Sequence, residues 1–195
     1  MRGSLLTERK GARWNSILKS HQLRMLAVSV AVGVTAGLFI GTVRLGLGLA
    51  GHKSLFWMTP VIIARLLGRC KAGTTAGALS AAFTTLAVGG RLAGGMVGLP
   101  LIGLAGIILD VVINFLEKRK APALLVIAII GITAMFANLL CLGKRLLVPL
   151  WPGSHFLFGV SGFRFKLICY AFFGLTAGLI AATLACFINR RRQIR

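Results

Sequence analysis

Apolar residues along this chain fall into six long blocks, not into alternating or short clusters. They read "MLAVSVAVGVTAGLFIGTV" (25–43), "SLFWMTPVIIARLLG" (54–68), "AGTTAGALSAAFTTLAVGG" (72–90), "VGLPLIGLAGIILDVVINFL" (97–116), "PALLVIAIIGITAMFANLLCLG" (122–143) and "LICYAFFGLTAGLIAATLACFI" (167–188). Runs of about 20 apolar residues are what a hydrocarbon layer about 30 Å thick asks of a helix. The pattern predicts an all-α integral membrane bundle of six transmembrane helices over 25–188, with basic segments at 1–24 and 189–195. The second block is short for a span at about 1.5 Å per residue, and it contains Pro60 and Arg65. It is expected to tilt, to kink at Pro60, or to extend backward into the preceding loop.

Charge adds an orientation to this map. The chain is 57% hydrophobic and 13% charged, with 23 Lys and Arg against three acids, Glu8, Asp110 and Glu117. With the N-terminus placed in the cytoplasm, sixteen of the 23 bases fall inside: those before residue 25, Arg65, Arg69, Lys71, Lys118 to Lys120, and the C-terminal tail. The remaining seven are Arg44, Lys53, Arg91, Lys144, Arg145, Arg164 and Lys166. This bias predicts six helices with both termini cytoplasmic. Bases gathered at tails and loops also argue against a nucleic-acid footprint. The first block follows a basic stretch, as in a signal peptide, but it is long and precedes further apolar blocks, so it reads as an uncleaved helix.

Three blocks share a short pattern of small residues: "GVTAGLFIG", "GTTAGALSAA" and "GLTAGLIAAT". Each sets small residues four apart, as in Gly33, Gly37 and Gly41, or Gly174, Gly178 and Ala182. Such stripes let helices approach closely in lipid. They serve either packing within the chain or, most plausibly for the first helix with Ala27 and Ala31, docking onto another membrane subunit.

Signatures of catalysis are missing. The sequence has no Gly-x-Ser-x-Gly elbow, no His-Glu-x-x-His and no phosphate loop, and three acids are too few for most paired-carboxylate chemistry. The expectation is a non-enzyme without cofactor. Cys70, Cys141, Cys169 and Cys186 lack metal-ligand spacing and read as apolar packing residues.

Polar residues near the outer ends of the helices are the candidates for ligand binding: His52, Arg91, Asn138, and the loop from Lys144 to Lys166 with Trp151 and His155. That loop is long and aromatic-rich, and is expected to fold over the outer mouth of the bundle. A planar ligand would stack on Trp57 or Trp151, with Asn138 and His155 orienting it by hydrogen bonds. The alternative is that Trp151 and its neighbours form an aromatic belt at the headgroups.

Asp110 lies deep in the fourth block, in its cytoplasmic half. A lone carboxylate there needs a partner or a proton. Arg65, the base inside a predicted span at similar depth, is the proposed partner in an intramembrane ion pair; a proton or ion relay and a helix-end interface with another subunit are the alternatives.

"TPVIIARLLGRCKAGTTAGALSAA" followed by "GLPLIGLAGIILDVVI" resembles the middle of a substrate-binding S component of an energy-coupling-factor (ECF) vitamin transporter, nearest in layout to the thiamine and hydroxymethylpyrimidine branch. The resemblance covers the layout of 25–188. It implies a multi-pass protein of the bacterial cytoplasmic membrane that binds a vitamin-like solute near the outer face, here at His52, Arg91 and Trp151 to His155. It also implies docking through Ala27 and Ala31 onto a membrane coupling subunit driven by two cytoplasmic ATPases. Unlike the better-known vitamin binders, this chain has no outer-face acid, which favours a neutral or anionic solute over thiamine. The rival reading is a non-transporting scaffold or sensor whose basic tails bind lipid.

Overall fold

The computed structural model describes residues 2–43, 49–90, 92, 95–143 and 160–193. Six α-helices account for almost all of them: α1 (Arg2–Thr42), α2 (Lys53–Gly68), α3 (Gly73–Ala87), α4 (Leu99–Lys118), α5 (Ala123–Leu142) and α6 (Val160–Gln193). A 3-10 turn, Gly95–Gly98, leads into α4, and no strand occurs among the described residues. Each helix begins close to the start of an apolar block, except at the two ends of the chain. There α1 runs back through the basic N-terminal segment, and α6 starts at Val160.

That last boundary corrects the expected loop of 144–166. Arg164 and Lys166, assigned to it from sequence, stand on the first turns of α6. The third helix also ends three residues before its apolar block does, for a local reason. Gly89 takes φ +76 and donates its N–H to the Leu86 carbonyl at 3.0 Å, while Gly90 donates to Thr85 at 2.8 Å. These two bonds close a Schellman motif, which turns the chain out of the helix.

Among the described residues four helices are long and apolar enough to cross a membrane: Ser20–Thr42, Leu99–Arg119, Ala123–Leu142 and Gly162–Arg191. The chain is therefore a multi-pass membrane protein by length and composition. At about 1.5 Å per residue, α2 and α3 reach only about 24 and 22 Å, less than the hydrocarbon thickness.

The helices pack as a ring in the order α1, α3, α4, α5, α6, α2, with α2 also touching α3. Successive helices alternate in direction. Gln22 of α1 bonds the Arg69 carbonyl after α2 at one end, whereas Asn138 of α5 bonds Ser54 of α2 at the other.

Small residues make many of the helix contacts, beside larger buried ones such as Met58, Ile62 and Leu109. Ala78, Ala81, Ala134, Ala137, Ala177 and Ala181 are fully buried, whereas Val111, Phe115, Phe136, Phe172 and Phe187 face outward. Small residues at the helix contacts and large apolar groups on the outer surface suit a lipid solvent, where close backbone packing and not expulsion from water joins helices.

The small-residue stripes show this directly. A Cβ added to Gly33 would stand 2.1 Å from the Gly77 carbonyl oxygen, and one on Gly37 would stand 2.5 Å from that of Ala81. Added to Gly178, it would meet the Ile130 carbonyl of α5 at 2.8 Å. Two hydroxyls of α3 reinforce the α1 contact, Ser80 donating to the Val30 carbonyl at 3.2 Å and Thr85 to that of Gly37 at 3.1 Å. Gly33 and Gly37 are thus used within the chain, and their assignment to a partner-subunit interface is corrected. Ala27 and Ala31 lie on the opposite, exposed side of α1.

Candidate functional site

The two ends of the bundle carry different chemistry. At the end where α2 stops and α3 begins, Arg65 is completely buried and meets the expected partner: its Nε lies 3.3 Å from Asp110 Oδ1. That contact is an ion pair without hydrogen-bond geometry, since Nε has no hydrogen-bond partner. The guanidinium nitrogens go elsewhere. Nη1 and Nη2 donate to the two oxygens of Glu117 at 3.0 and 3.1 Å, a bidentate fork, and Nη2 also donates to Asn114 Oδ1 at 2.6 Å.

Asp110 serves a second element as well. It accepts the backbone N–H groups of Thr74 and Thr75 at 3.0 and 2.8 Å and the Thr75 hydroxyl at 2.7 Å. Ala72 at the start of α3 offers no side-chain cap, so a carboxylate from α4 fills that role across the helix interface. It also faces the positive end of the α3 dipole. Asn114 adds a bond from Nδ2 to the Lys71 carbonyl at 3.2 Å. The cluster ties α2, α3 and α4 together, and every polar group of Asp110 has a structural partner.

The sequence pattern pairs Arg65 with Asp110 but leaves Glu117 out of the pair. The missed signal was spacing: Asp110, Asn114 and Glu117 stand at i, i+4 and i+7, one face of a helix.

At the opposite end lies a cavity of about 210 Å³ lined by Leu49, Gly51, His52, Lys53, Ser54, Trp57, Leu92, Asn138, Cys141 and Tyr170. Three of the expected ligand residues, His52, Trp57 and Asn138, come together here from α2, its leading turn and α5. Asn138 is buried and donates from Nδ2 to Ser54 Oγ at 3.1 Å and to the Tyr170 carbonyl at 2.8 Å, which fixes its orientation. Ser54 Oγ in turn donates to the Gly51 carbonyl at 2.8 Å. Gly51, at φ +84, passes so close to Tyr170 that a Cβ would stand 3.0 Å from its Cα. His52 donates from Nδ1 to the Leu49 carbonyl, and its ring meets Phe173 edge-on at 6.5 Å.

Trp57 departs from its expected role. Only 2% of it is exposed, so it packs as a wall of the cavity and offers little open ring face for stacking. Ser54 and Tyr170 were not singled out from sequence. Arg91, Trp151 and His155, with most of the loop expected to cover this mouth, lie outside the described residues.

A second cavity, of about 490 Å³, opens at the Arg65 end between α2, α4, α5 and α6. It was not expected from sequence, because its walls are ordinary apolar positions of four separate blocks. Among the described residues no group of three His, Cys, Asp or Glu side chains could hold a metal ion, and no disulfide joins any of the four cysteines.

Comparison with models of protein families, with curated proteins and with solved structures gives no match, so function must be read from this geometry.

Proposed function

We propose that this membrane protein captures a small solute in the cavity at the His52 end, as the substrate-binding subunit of an ECF-type importer in the bacterial cytoplasmic membrane. One observation carries the reading: residues expected to bind ligand on separate stretches of sequence, His52, Trp57 and Asn138, line one cavity. A scaffold would need no such space.

The solute is small, neutral or anionic, and recognised by hydrogen bonding. Among the described residues Lys53 lines the cavity and no acid does. Both bonds of Asn138 are donated by its amide nitrogen, so its oxygen is the group that would accept from a ligand. His52 and Tyr170 would enclose the solute's apolar faces.

In this reading the His52 end faces outward and both termini lie in the cytoplasm, consistent with the excess of bases at the Arg65 end. No nucleotide site is expected in this chain, so uptake would depend on a membrane coupling subunit and two ATPases. The exposed side of α1 at Ala27 and Ala31 remains available to that subunit.

Native mass spectrometry of the gently purified protein tests the proposal. A retained small molecule that is lost from an Asn138→Leu variant, together with bound ATPase subunits, is the expected result. Absence of both, with wild-type protein intact, would refute it in favour of a scaffold or sensor.

A further inference from the structure

Two residues other than glycine have positive φ among the described residues, Arg69 at 51° and Lys120 at 49°. Both are basic, both stand just past a helix end, and both line the 490 Å³ cavity. Arg69 donates its N–H to the Arg65 carbonyl at 2.9 Å. Lys120 donates to Glu117 at 3.2 Å, with Ala121 closing onto Leu116 at 3.3 Å. These are the helix-ending positions that glycine fills at no steric cost, as Gly89 does after α3. A side chain there costs about 1–2 kcal/mol. The left-handed backbone is thus kept twice at a cost, and each time a base is set at the mouth of the same cavity.

Their surroundings indicate what the bases meet. The acids with described side chains, Asp110 and Glu117, are both committed to Arg65, so neither Arg69 nor Lys120 has an acidic partner among the described residues. Glu117 lines the cavity too, but its charge is held by the Arg65 fork. Behind the basic rim the walls are apolar, from Leu66, Ile113, Val126 and Ile130, with Asn189 as a further polar group. Nearby, Arg119 and Arg191 lie over the outward-facing rings of Phe115 and Phe187, at 5.3 and 4.4 Å.

We infer that this cavity is a binding site for the phosphate headgroup of an anionic phospholipid, held by Arg69 and Lys120 at the membrane boundary. Charge complementarity selects an anion, and the apolar walls favour one attached to an acyl chain over free phosphate. Basic pockets between transmembrane helices are known to take such headgroups. The site is separate from the His52 cavity and does not depend on solute capture.

The shape of the backbone supplies a clean test. Arg69→Gly with Lys120→Gly removes both charges while easing the local conformation, so the fold is retained. Thermal unfolding is measured in nanodiscs of phosphatidylcholine alone, with about a quarter phosphatidylglycerol, and with millimolar inorganic phosphate. For the wild type, phosphatidylglycerol raises Tm by at least about 4 °C, and native mass spectrometry finds it retained one per chain. The glycine pair loses most of that rise and the retained lipid, although its Tm in phosphatidylcholine is equal or higher. Arg69→Lys with Lys120→Arg keeps both. An equal response of wild type and glycine pair would overturn the site, assigning any effect to the general basic surface. A rise with inorganic phosphate matching that with phosphatidylglycerol would overturn the lipid as its source.

Discussion

Arg65 and Glu117, 52 residues apart in sequence, are joined by two parallel hydrogen bonds of 3.0 and 3.1 Å, so the short second helix is tied to the far end of the fourth. Arg65 is fully buried, while the Glu117 side chain is 38% exposed, and the two ends of this bond are therefore unequal in energy.

Removing the buried partner is expected to cost most. Arg65→Gln leaves Asp110 uncompensated and should destabilise by about 3–5 kcal/mol, whereas Glu117→Gln, screened by its exposure, should cost about 1 kcal/mol or less. Unfolding in mixed micelles of graded denaturant content measures both.

Asp110 also caps α3, so it should not behave as a simple ion-pair partner. Asp110→Asn with Arg65→Gln is expected to be less destabilising than the two single changes summed, by about 0.5–3 kcal/mol. Even so, Asp110→Ala in the Arg65→Gln background should still cost about 1 kcal/mol, through the lost cap on Thr74 and Thr75. A complete absence of that residual cost would show that the cap contributes nothing.

The α1 and α3 stripe separates packing from docking. Gly33→Val places a branched side chain against the Gly77 backbone and should destabilise by about 1–3 kcal/mol. Ala31→Leu, on the exposed side, should leave Tm within about 2 °C of the wild type and reduce recovery of any bound membrane subunit. Thermal scans and affinity purification read the two effects.

Gly89 isolates the conformational cost of one backbone angle. Nothing lies within 4 Å of an added Cβ, so Gly89→Ala should destabilise by about 1 kcal/mol through φ alone. A clash could not account for such a loss.

Much of the helix order was legible in the sequence, because each apolar block had a clear start. The Arg65 and Asp110 contact was legible too, since charge within an apolar block demands a neighbour at its own depth. Glu117 was not, because a residue beside three bases looks like a solvated helix end until the face shared with Asp110 is counted. The corrected role of Gly33 and Gly37 has a similar cause: a stripe of small residues specifies close approach but not which helix approaches. Trp57 lines one cavity with His52 and Asn138, yet its coverage by neighbouring helices depends on packing that no single segment encodes.

Arg65 finally bears on how the chain is made. Ribosomes add about 5–20 residues per second, so roughly 3–10 s separate the synthesis of Arg65 from that of Glu117. Until Asp110 and then Glu117 are made, α2 carries a charge without the two acids that meet it in the fold, on a helix too short to cross the bilayer unaided. Insertion of α2 and α3 would then be completed late, as a pair, once α4 arrives with Asp110, Asn114 and Glu117 to receive them.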